Sequence, residues 1–207
     1  MISEIDHWLL EAPITSSWGT SIPFPFIFDG ELGETGAMNL RCHGFDRFVV
    51  AESVASLSSN GLIEFKFPCH REELLQALSV SVSNLAIANS YTLTVIGFAQ
   101  WERIANPDWT QFARHLPYCE ADAELRLECA SISAGQRYLD AFLRWDNRPL
   151  IDAVWSPCLD YRPFPWKTLA IGHAAAVRLP DPIEYANCAS EDPWKSVRWI
   201  QNPITLE

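Results

Sequence analysis

Two adjacent Cys-His pairs are the most chemically suggestive feature of the sequence. Cys42-His43 and Cys69-His70 together supply two thiols and two imidazoles, a ligand set that zinc accepts. Structural zinc sites usually space their ligands as CxxC or HxxxH, however, and neighbouring residues on a strand point to opposite faces. Both members of a pair would therefore not reach one ion, and we expect no metal site.

Nucleophilic chemistry has no recognisable signature in the chain. The sequence contains no GxSxG, HExxH or Walker motif. Cys119 lies four residues after His115, but Pro117 breaks any helix that would hold the two side chains together. The six cysteines form no CxxC pair, so we expect reduced thiols that behave as small apolar residues. We assign no catalytic residue and no cofactor.

Carboxylates cluster at two places that could bind cations. A turn-rich loop has three glycines at positions 30, 33 and 36, but its acidic side chains would repel a phosphate, so we reject a phosphate-binding loop. The second cluster precedes a predicted strand. We predict that these clusters contact a partner: first Asp29, Glu31 and Glu34, and second Glu120, Asp122 and Glu124.

The net charge of the chain indicates which class of macromolecule it would bind. The 207 residues include 26 Asp or Glu and 15 Lys or Arg, a net charge of −11. Such a field repels nucleic-acid backbones and anionic membrane surfaces, and it attracts basic proteins. The N-terminus has no basic region ahead of an apolar stretch, so we expect no secretory signal and a cytoplasmic protein.

An uncharged stretch at residues 74–101 must lie in the core. It is long enough to cross a bilayer, but ten Gln, Ser, Asn and Thr side chains make it too polar to do so. Alternation at residues 78–83 fits a strand, whereas apolar spacing over residues 71–88 fits a helix, which we prefer. Residues 91–98, rich in β-branched and aromatic side chains, predict an interior strand.

Caps and alternation predict the remaining elements. Ser3 and Asp6 indicate a helix over residues 3–10, and Ser133 with Gln136 indicates the start of another. Asn106-Pro107 predicts a helix to residue 115, and residues 150–155 could add turns to the helix before them. Residues 22–28 are expected to be extended, and strands are predicted over residues 38–43, 45–52, 62–67, 123–131 and 168–179.

These elements predict an α+β fold for residues 1–207 as a single domain. We expect a mainly antiparallel sheet packed by about three helices. After residue 149 the chain is rich in proline and tryptophan, so we expect an extended C-terminal wrap over the core.

A small, acidic, single-domain chain without catalytic motifs is similar in type to the cytosolic immunity proteins that neutralise bacterial toxins. That resemblance implies a non-enzymatic domain that masks a basic protein partner, such as a toxin or effector, with acidic side chains and aromatic anchors. Two alternatives stay open. One is a structural or adaptor subunit with exposed apolar patches, and the other is an enzyme without a recognisable motif.

Overall fold

The computed structural model describes residues 2–15, 21–27, 45–78, 88–116, 123–180 and 197–202. The fold is α+β, as predicted, with helices and antiparallel sheets in the described part of the chain. The residues form two compact units. Unit 1 comprises residues 1–106 and 202–207, and unit 2 comprises residues 107–201.

The described residues of unit 1 form four helices and a three-stranded antiparallel sheet in the order β1-β3-β2. Leu9, Leu10, Ile22 and Tyr91 are among its fully buried side chains. The described elements are α1 (Glu4–Thr15), β1 (Ser21–Pro23), a 3-10 turn (Phe24–Ile27), α2 (Arg47–Ser59), β2 (Ile63–Phe65), α3 (Arg71–Ala77), β3 (Ser90–Leu93) and α4 (Val95–Ala105).

The N-terminal helix begins where its capping signal predicts. The Asp6 backbone N–H donates to Ser3 Oγ at 3.1 Å, and the Ser3 N–H donates to Asp6 Oδ2 at 3.0 Å. These reciprocal bonds satisfy amides that a helix start leaves without partners. The Tyr91 hydroxyl, buried in the sheet, donates to the Leu9 carbonyl at 2.9 Å and ties β3 to α1.

Unit 2 is built on a four-stranded antiparallel sheet in the order β4-β5-β7-β6. Helix α5 packs on β4 and β5, where its apolar stripe of Tyr138, Leu139, Phe142 and Leu143 is buried as predicted. The described elements are a 3-10 turn (Trp109–Gln111), β4 (Ala113–His115), β5 (Glu124–Cys129), α5 (Ile132–Trp145), β6 (Ser156–Phe164) and β7 (Lys167–Arg178).

Strict alternation correctly predicts strand β5. Leu125, Leu127 and Cys129 are buried against α5, while the residues between them face the other side of the sheet. The strands predicted over residues 62–67 and 168–179 are also present, as β2 and β7. The cap of α5 is Ser131, whose Oγ accepts from the Ala134 N–H, and not Ser133 as predicted.

Three predicted elements in unit 1 are wrong at least in part. Residues 47–59 form helix α2, not a strand, because Asp46 Oδ1 accepts from the Phe48 and Val49 N–H groups and starts a helix. The strand predicted at 91–98 ends at Leu93, because Thr94 caps helix α4 through the Gly97 N–H. Helix α3 ends at Ala77, which interrupts the helix predicted over residues 71–88, and residues 79–87 lie outside the described part of the chain.

The helical segments predicted over residues 106–115 and 150–155 are also absent. Asn106 does not begin a helix; it ends α4 in the left-handed conformation at φ 45°. Only a 3-10 turn and strand β4 follow it up to residue 115. Residues 150–155 are not helical, and strand β6 follows them within the predicted wrap.

Several predictions fall outside the described residues. These include the strand at 38–43, residues 79–87 of the uncharged stretch, and the wrap beyond residue 180 apart from residues 197–202. At residues 22–28, the chain is a short strand followed by a 3-10 turn as far as Ile27. No helix in the described part of the chain is long and apolar enough to span a bilayer.

Candidate functional site

Of the six carboxylates that we predict to contact a partner, one lies in the described part of the chain. Glu124 opens β5 and forms an ion pair with the neighbouring Arg126, with Oε1 and Nε 2.6 Å apart. The other five lie outside the described residues: Asp29, Glu31, Glu34, Glu120 and Asp122. That these six side chains form two surfaces that contact a partner therefore stays a prediction.

Negative charge is distributed unequally between the two units. The sequence of unit 1 contains 13 Asp or Glu against five Lys or Arg, a net charge of −8. The sequence of unit 2 contains 13 Asp or Glu against ten Lys or Arg, a net charge of −3. Most of the field that would attract a basic partner therefore originates in unit 1.

The start of α2 presents apolar side chains beside carboxylates on the surface of unit 1. Phe48 is 66% exposed and Val49 is 48% exposed. Glu52 lies one helical turn after Phe48 and forms an exposed ion pair with Arg71, the first residue of α3. We call this area the α2–α3 surface and define it by Phe48, Val49, Glu52, Arg71 and Glu72.

A second polar feature lies on the face of the unit 2 sheet that α5 does not cover. The Arg114 guanidinium on β4 donates to Glu128 Oε2 on β5 through Nε at 3.1 Å and Nη2 at 2.9 Å. The Tyr161 hydroxyl on β6 donates to the same oxygen at 2.8 Å. We call these three residues the Arg114–Glu128–Tyr161 network. Because Arg114 pairs with Glu128, the charges in the network offset each other.

Aromatic rings enclose this network. The Arg114 guanidinium carbon lies 5.2 Å from the Phe164 ring centroid and 5.8 Å from that of Phe112, distances typical of cation–π contacts. Nearby, Lys167 Nζ lies 4.5 Å from the Trp109 ring centroid. The aromatic cluster consists of Trp109, Phe112, Tyr161, Phe164, Trp166 and Trp199.

A local irregularity in β6 positions Tyr161. The preceding residue, Asp160, adopts the left-handed conformation at φ 49°, which interrupts the alternation of the strand. Leu159 is 80% exposed, whereas Tyr161 is only 8% exposed. The Tyr161 ring covers Gly172, where an added Cβ would lie 2.3 Å from the ring. Glycine at position 172 is therefore needed for the tyrosine to reach Glu128.

Two of the described thiols, Cys69 and Cys129, lack the properties of activated nucleophiles. Burial raises the pKa of Cys129 to about 11, although the nearby Gly135 and Ser131 backbone groups oppose the shift. Burial also raises the pKa of Cys69, with a further contribution from Glu73. Since the thiolate is the reactive form, neither cysteine is primed to attack an electrophile.

The histidines also show no metal-site geometry in the described residues. Burial lowers the pKa of His115 to about 4, and its Nδ1 lies 2.8 Å from the Tyr138 hydroxyl. His70 immediately precedes α3, and its N–H donates to Glu73 Oε2. Within the described ranges, no three His, Cys, Asp or Glu side chains are grouped closely enough to hold a metal ion. Cys42 and His43 fall outside those ranges.

The sequence contained only part of the signal for the Arg114–Glu128–Tyr161 network. Alternation correctly placed Glu128 on the face opposite Leu127. Arg114, however, fell within a wrongly predicted helix, and Tyr161 fell within the predicted wrap. The missed signal is a hairpin. Two short segments, Tyr161-Arg-Pro-Phe164 and Lys167-Thr-Leu-Ala170, flank Pro165-Trp166, which forms the turn between β6 and β7.

Comparison of the chain with protein-family models, with curated proteins and with solved structures finds no match.

Proposed function

We propose that the protein is a non-enzymatic, cytoplasmic binding domain that docks on and masks a basic protein partner, in the manner of immunity proteins. The observation that supports the proposal best is the net charge of −8 on unit 1, within a chain whose total is −11. A field of this sign accelerates encounter with a cationic protein surface and disfavours nucleic acid as a partner.

The α2–α3 surface adds the apolar part of such an interface. Stable protein interfaces combine desolvated aromatic anchors with surrounding polar groups. Phe48 supplies an exposed aromatic side chain, and Glu52, one helical turn further on, supplies a carboxylate. An enzyme whose active site is lined by Lys or Arg would present the complementary chemistry, so masking that site is the simplest way for this domain to inhibit it.

Charge reversal in two matched sets tests the proposal. The tagged protein is used to isolate a partner from its host, and association with the purified partner is then measured by stopped-flow fluorescence at several salt concentrations. One variant carries Asp29→Lys, Glu31→Lys and Glu34→Lys in unit 1. The other carries Glu120→Lys, Asp122→Lys and Glu124→Lys in unit 2 and changes the net charge equally.

We expect the unit 1 variant to associate about tenfold more slowly at low salt and to lose most of its salt dependence, since rim charges act mainly on the association rate. The unit 2 variant should slow association less. Association that both variants leave unchanged would remove the acidic residues from the interface. Isolation of a net-acidic partner would overturn the proposal.

A second function is supported by a separate observation. The described residues expose eleven large apolar side chains by more than a third, including Val95 at 73% and Val154 at 88%. Such exposure favours a structural or adaptor subunit of a larger assembly. Sedimentation velocity of the purified protein separates the two functions. A soluble monomer favours the masking domain, and concentration-dependent aggregation that added salt does not prevent favours the subunit.

A further inference from the structure

The connection between α2 and β2 contains the one Asn-Gly pair in the sequence, Asn60-Gly61. In such a pair the glycine amide nitrogen can attack the side-chain carbonyl of the asparagine, because glycine places no side chain beside the attacking atom. Asn60 is exposed, and a Cβ added at Gly61 would meet nothing within 4 Å, so water reaches the pair. The chemistry open to this pair is therefore deamidation.

Deamidation of Asn60 proceeds through a cyclic imide. The Gly61 amide gives its proton to a base in solvent, and its nitrogen bonds to Asn60 Cγ while the bond between Cγ and Nδ2 breaks. The departing nitrogen takes a proton from solvent and leaves as ammonia. Water then opens the ring at one of its two carbonyls, which leaves aspartate or isoaspartate at position 60. One water is consumed, one ammonia is released, and no atom is oxidised or reduced.

The native backbone holds the two reacting groups apart. Ring closure requires the Gly61 nitrogen to eclipse Cβ of Asn60 about the bond between Cα and the carbonyl carbon. At the observed ψ of 4° for Asn60, the Gly61 nitrogen eclipses the Asn60 nitrogen instead. Because Cα is tetrahedral, that position is about a third of a turn away from Cβ. Rotation about ψ must therefore precede the reaction.

Hydrogen bonds at the end of α2 resist this rotation. The Gly61 N–H, which carries the attacking nitrogen, donates to the Ser58 carbonyl at 2.9 Å. The Leu62 N–H donates to the Leu57 carbonyl, also at 2.9 Å. These two bonds, with Gly61 left-handed at φ 66°, form a Schellman motif. We call residues 60–62 the α2–β2 turn.

The Asn60 side chain and helix α4 restrain the turn further. Asn60 Nδ2, the atom that would leave, donates to the Ser56 carbonyl at 2.8 Å. From α4, the Thr94 hydroxyl donates to the Gly61 carbonyl at 2.5 Å, and the Thr94 N–H donates to the Leu62 carbonyl at 3.0 Å. Docking of α4 therefore helps to keep the α2–β2 turn in its unreactive conformation.

We propose that Asn60 is a deamidation site that the α2–β2 turn protects in the native state, so that conversion takes place when the end of α2 opens. Segments of a fold open locally with free energies that range from nearly zero up to that of global unfolding. The rate of conversion therefore reports the population of the opened turn. This inference is independent of the proposed function, because it depends on the backbone of unit 1 alone.

Conversion stabilises the opened turn. Aspartate at position 60 lacks the donor that Nδ2 supplies to Ser56, and it places a negative charge at the C-terminus of α2, where the helix dipole disfavours it. The last turn of α2 has no basic residue to offset this charge. Isoaspartate also lengthens the main chain by a methylene, which displaces the carbonyls that Thr94 binds.

Incubation at mildly alkaline pH, with and without guanidinium chloride, tests the site. Peptide mass spectrometry measures aspartate and isoaspartate at position 60 over time. We expect the unfolded chain to convert at least about tenfold faster than the folded protein, since the reactive ψ is then freely accessible. Asn147 is the internal reference. It is followed by Arg148 instead of glycine, and it should convert at least about tenfold more slowly than Asn60 in the unfolded chain.

Two threonine variants provide the comparison in the folded protein. Thr94→Val removes the hydroxyl that binds the Gly61 carbonyl and should raise the folded-state rate of conversion by at least about threefold. Thr168→Val removes an exposed hydroxyl from unit 2 and should leave that rate within about twofold of the wild type. The two wild-type rates decide the proposal if Thr94→Val does not fold.

Each contrary result overturns a named part of the proposal. Equal rates with and without guanidinium chloride would show that the native turn does not protect Asn60. No conversion of Asn60 in the unfolded chain would remove the site. A folded Thr94→Val that converts no faster than Thr168→Val would overturn the restraint by α4.

Asn60→Asp tests the consequence of conversion separately. It carries the side chain of the aspartate product, so we expect faster hydrogen exchange at Gly61 and Leu62 and a lower midpoint of urea unfolding than in the wild type. Exchange and a midpoint that match the wild type would overturn the stabilisation of the opened turn.

Discussion

At the scale of single residues, Glu128 on β5 joins side chains from two other strands of unit 2. One of its oxygens accepts from Arg114 and from Tyr161, while aromatic rings limit access of water to the guanidinium. A half-buried cation between aromatic rings depends on its counter-ion, because desolvation makes an unpaired charge costly. The carboxylate therefore stabilises the position of Arg114 and orients Tyr161 over Gly172.

This arrangement predicts unequal effects of substitution along β5. Glu128→Ala should reduce the free energy of unfolding by about 2 kcal/mol, because it leaves the Arg114 guanidinium and the Tyr161 hydroxyl without this acceptor. Tyr161→Phe should cost about 1 kcal/mol, because it removes one hydrogen bond while Arg114 still pairs with Glu128. Arg126→Ala, which breaks the exposed pair with Glu124, should cost at most about 0.5 kcal/mol. Urea unfolding measures all three. Equal losses for Glu128→Ala and Arg126→Ala would contradict the structural role of Glu128.

His115 predicts how stability depends on pH. Burial lowers its folded pKa to about 4, whereas an unfolded histidine titrates near 6.5. Between these values the unfolded chain binds the extra proton, so this residue makes the fold less stable as the pH falls from about 6.5 to about 4. The slope approaches about 1.4 kcal/mol per pH unit in the middle of that window. Comparison with His115→Gln by urea unfolding at pH 7, 5.5 and 4.5 isolates this contribution, and parallel pH profiles for the two proteins would refute it.

At the scale of elements, the approach of α4 to the end of α2 depends on one glycine. A Cβ added at Gly97 would lie 1.9 Å from the backbone carbonyl oxygen of Leu62. Thr94, the N-cap of α4, also binds this segment. Its N–H donates to the Leu62 carbonyl at 3.0 Å, and its hydroxyl donates to the Gly61 carbonyl at 2.5 Å. The backbone of α4 thus contacts the α2–β2 connection directly.

Gly97→Ala should consequently destabilise the protein by about 2 kcal/mol or more, despite the better helix propensity of alanine, because a backbone carbonyl cannot move aside as a side chain can. Ile96→Ala, at an exposed neighbouring position on the same helix, should change stability by no more than about 0.5 kcal/mol. Thermal unfolding followed by circular dichroism measures both. A neutral Gly97→Ala would show that the contact is looser than described.

Elements with strict periodicity could be predicted from sequence, and those fixed by caps were harder to predict. Leu125, Leu127 and Cys129 define β5 without any tertiary information. In contrast, Val95 and Ile96 have high β propensity, yet the Thr94 cap and the contact at Gly97 place them in a helix. Local propensity was overridden there by a tertiary contact that a single sequence does not reveal.

The prediction at Asn106 was wrong, and the Arg114–Glu128–Tyr161 network was not predicted, for related reasons. Asn106 suits both an N-cap and a left-handed C-cap, and only the position of the preceding helix decides between them. The Arg114–Glu128–Tyr161 network joins three strands, so its grouping depends on the sheet order β4-β5-β7-β6. The predicted acidic patches rest on composition, and Glu124 is their one described member.

At the scale of the whole molecule, the single-domain interpretation predicts cooperative unfolding. Gly97→Ala in unit 1 and Gly172→Ala in unit 2 each introduce a steric clash, with Leu62 and Tyr161 respectively. If unit 1 and unit 2 unfold together, both variants should shift one common transition to lower urea concentration. Hydrogen exchange followed by mass spectrometry reports each segment separately. A variant that shifts only its own unit would show that the units are independent domains.

The close pair of Trp109 and Trp199 makes unit 2 spectroscopically distinctive. Their ring centroids are 5.0 Å apart and their planes are tilted by 37°, so their electronic transitions should couple and produce an exciton signal in circular dichroism. Trp199→Phe should remove that signal while preserving an aromatic ring at the position. Binding at unit 2 could then be followed optically, without attaching a dye to the protein.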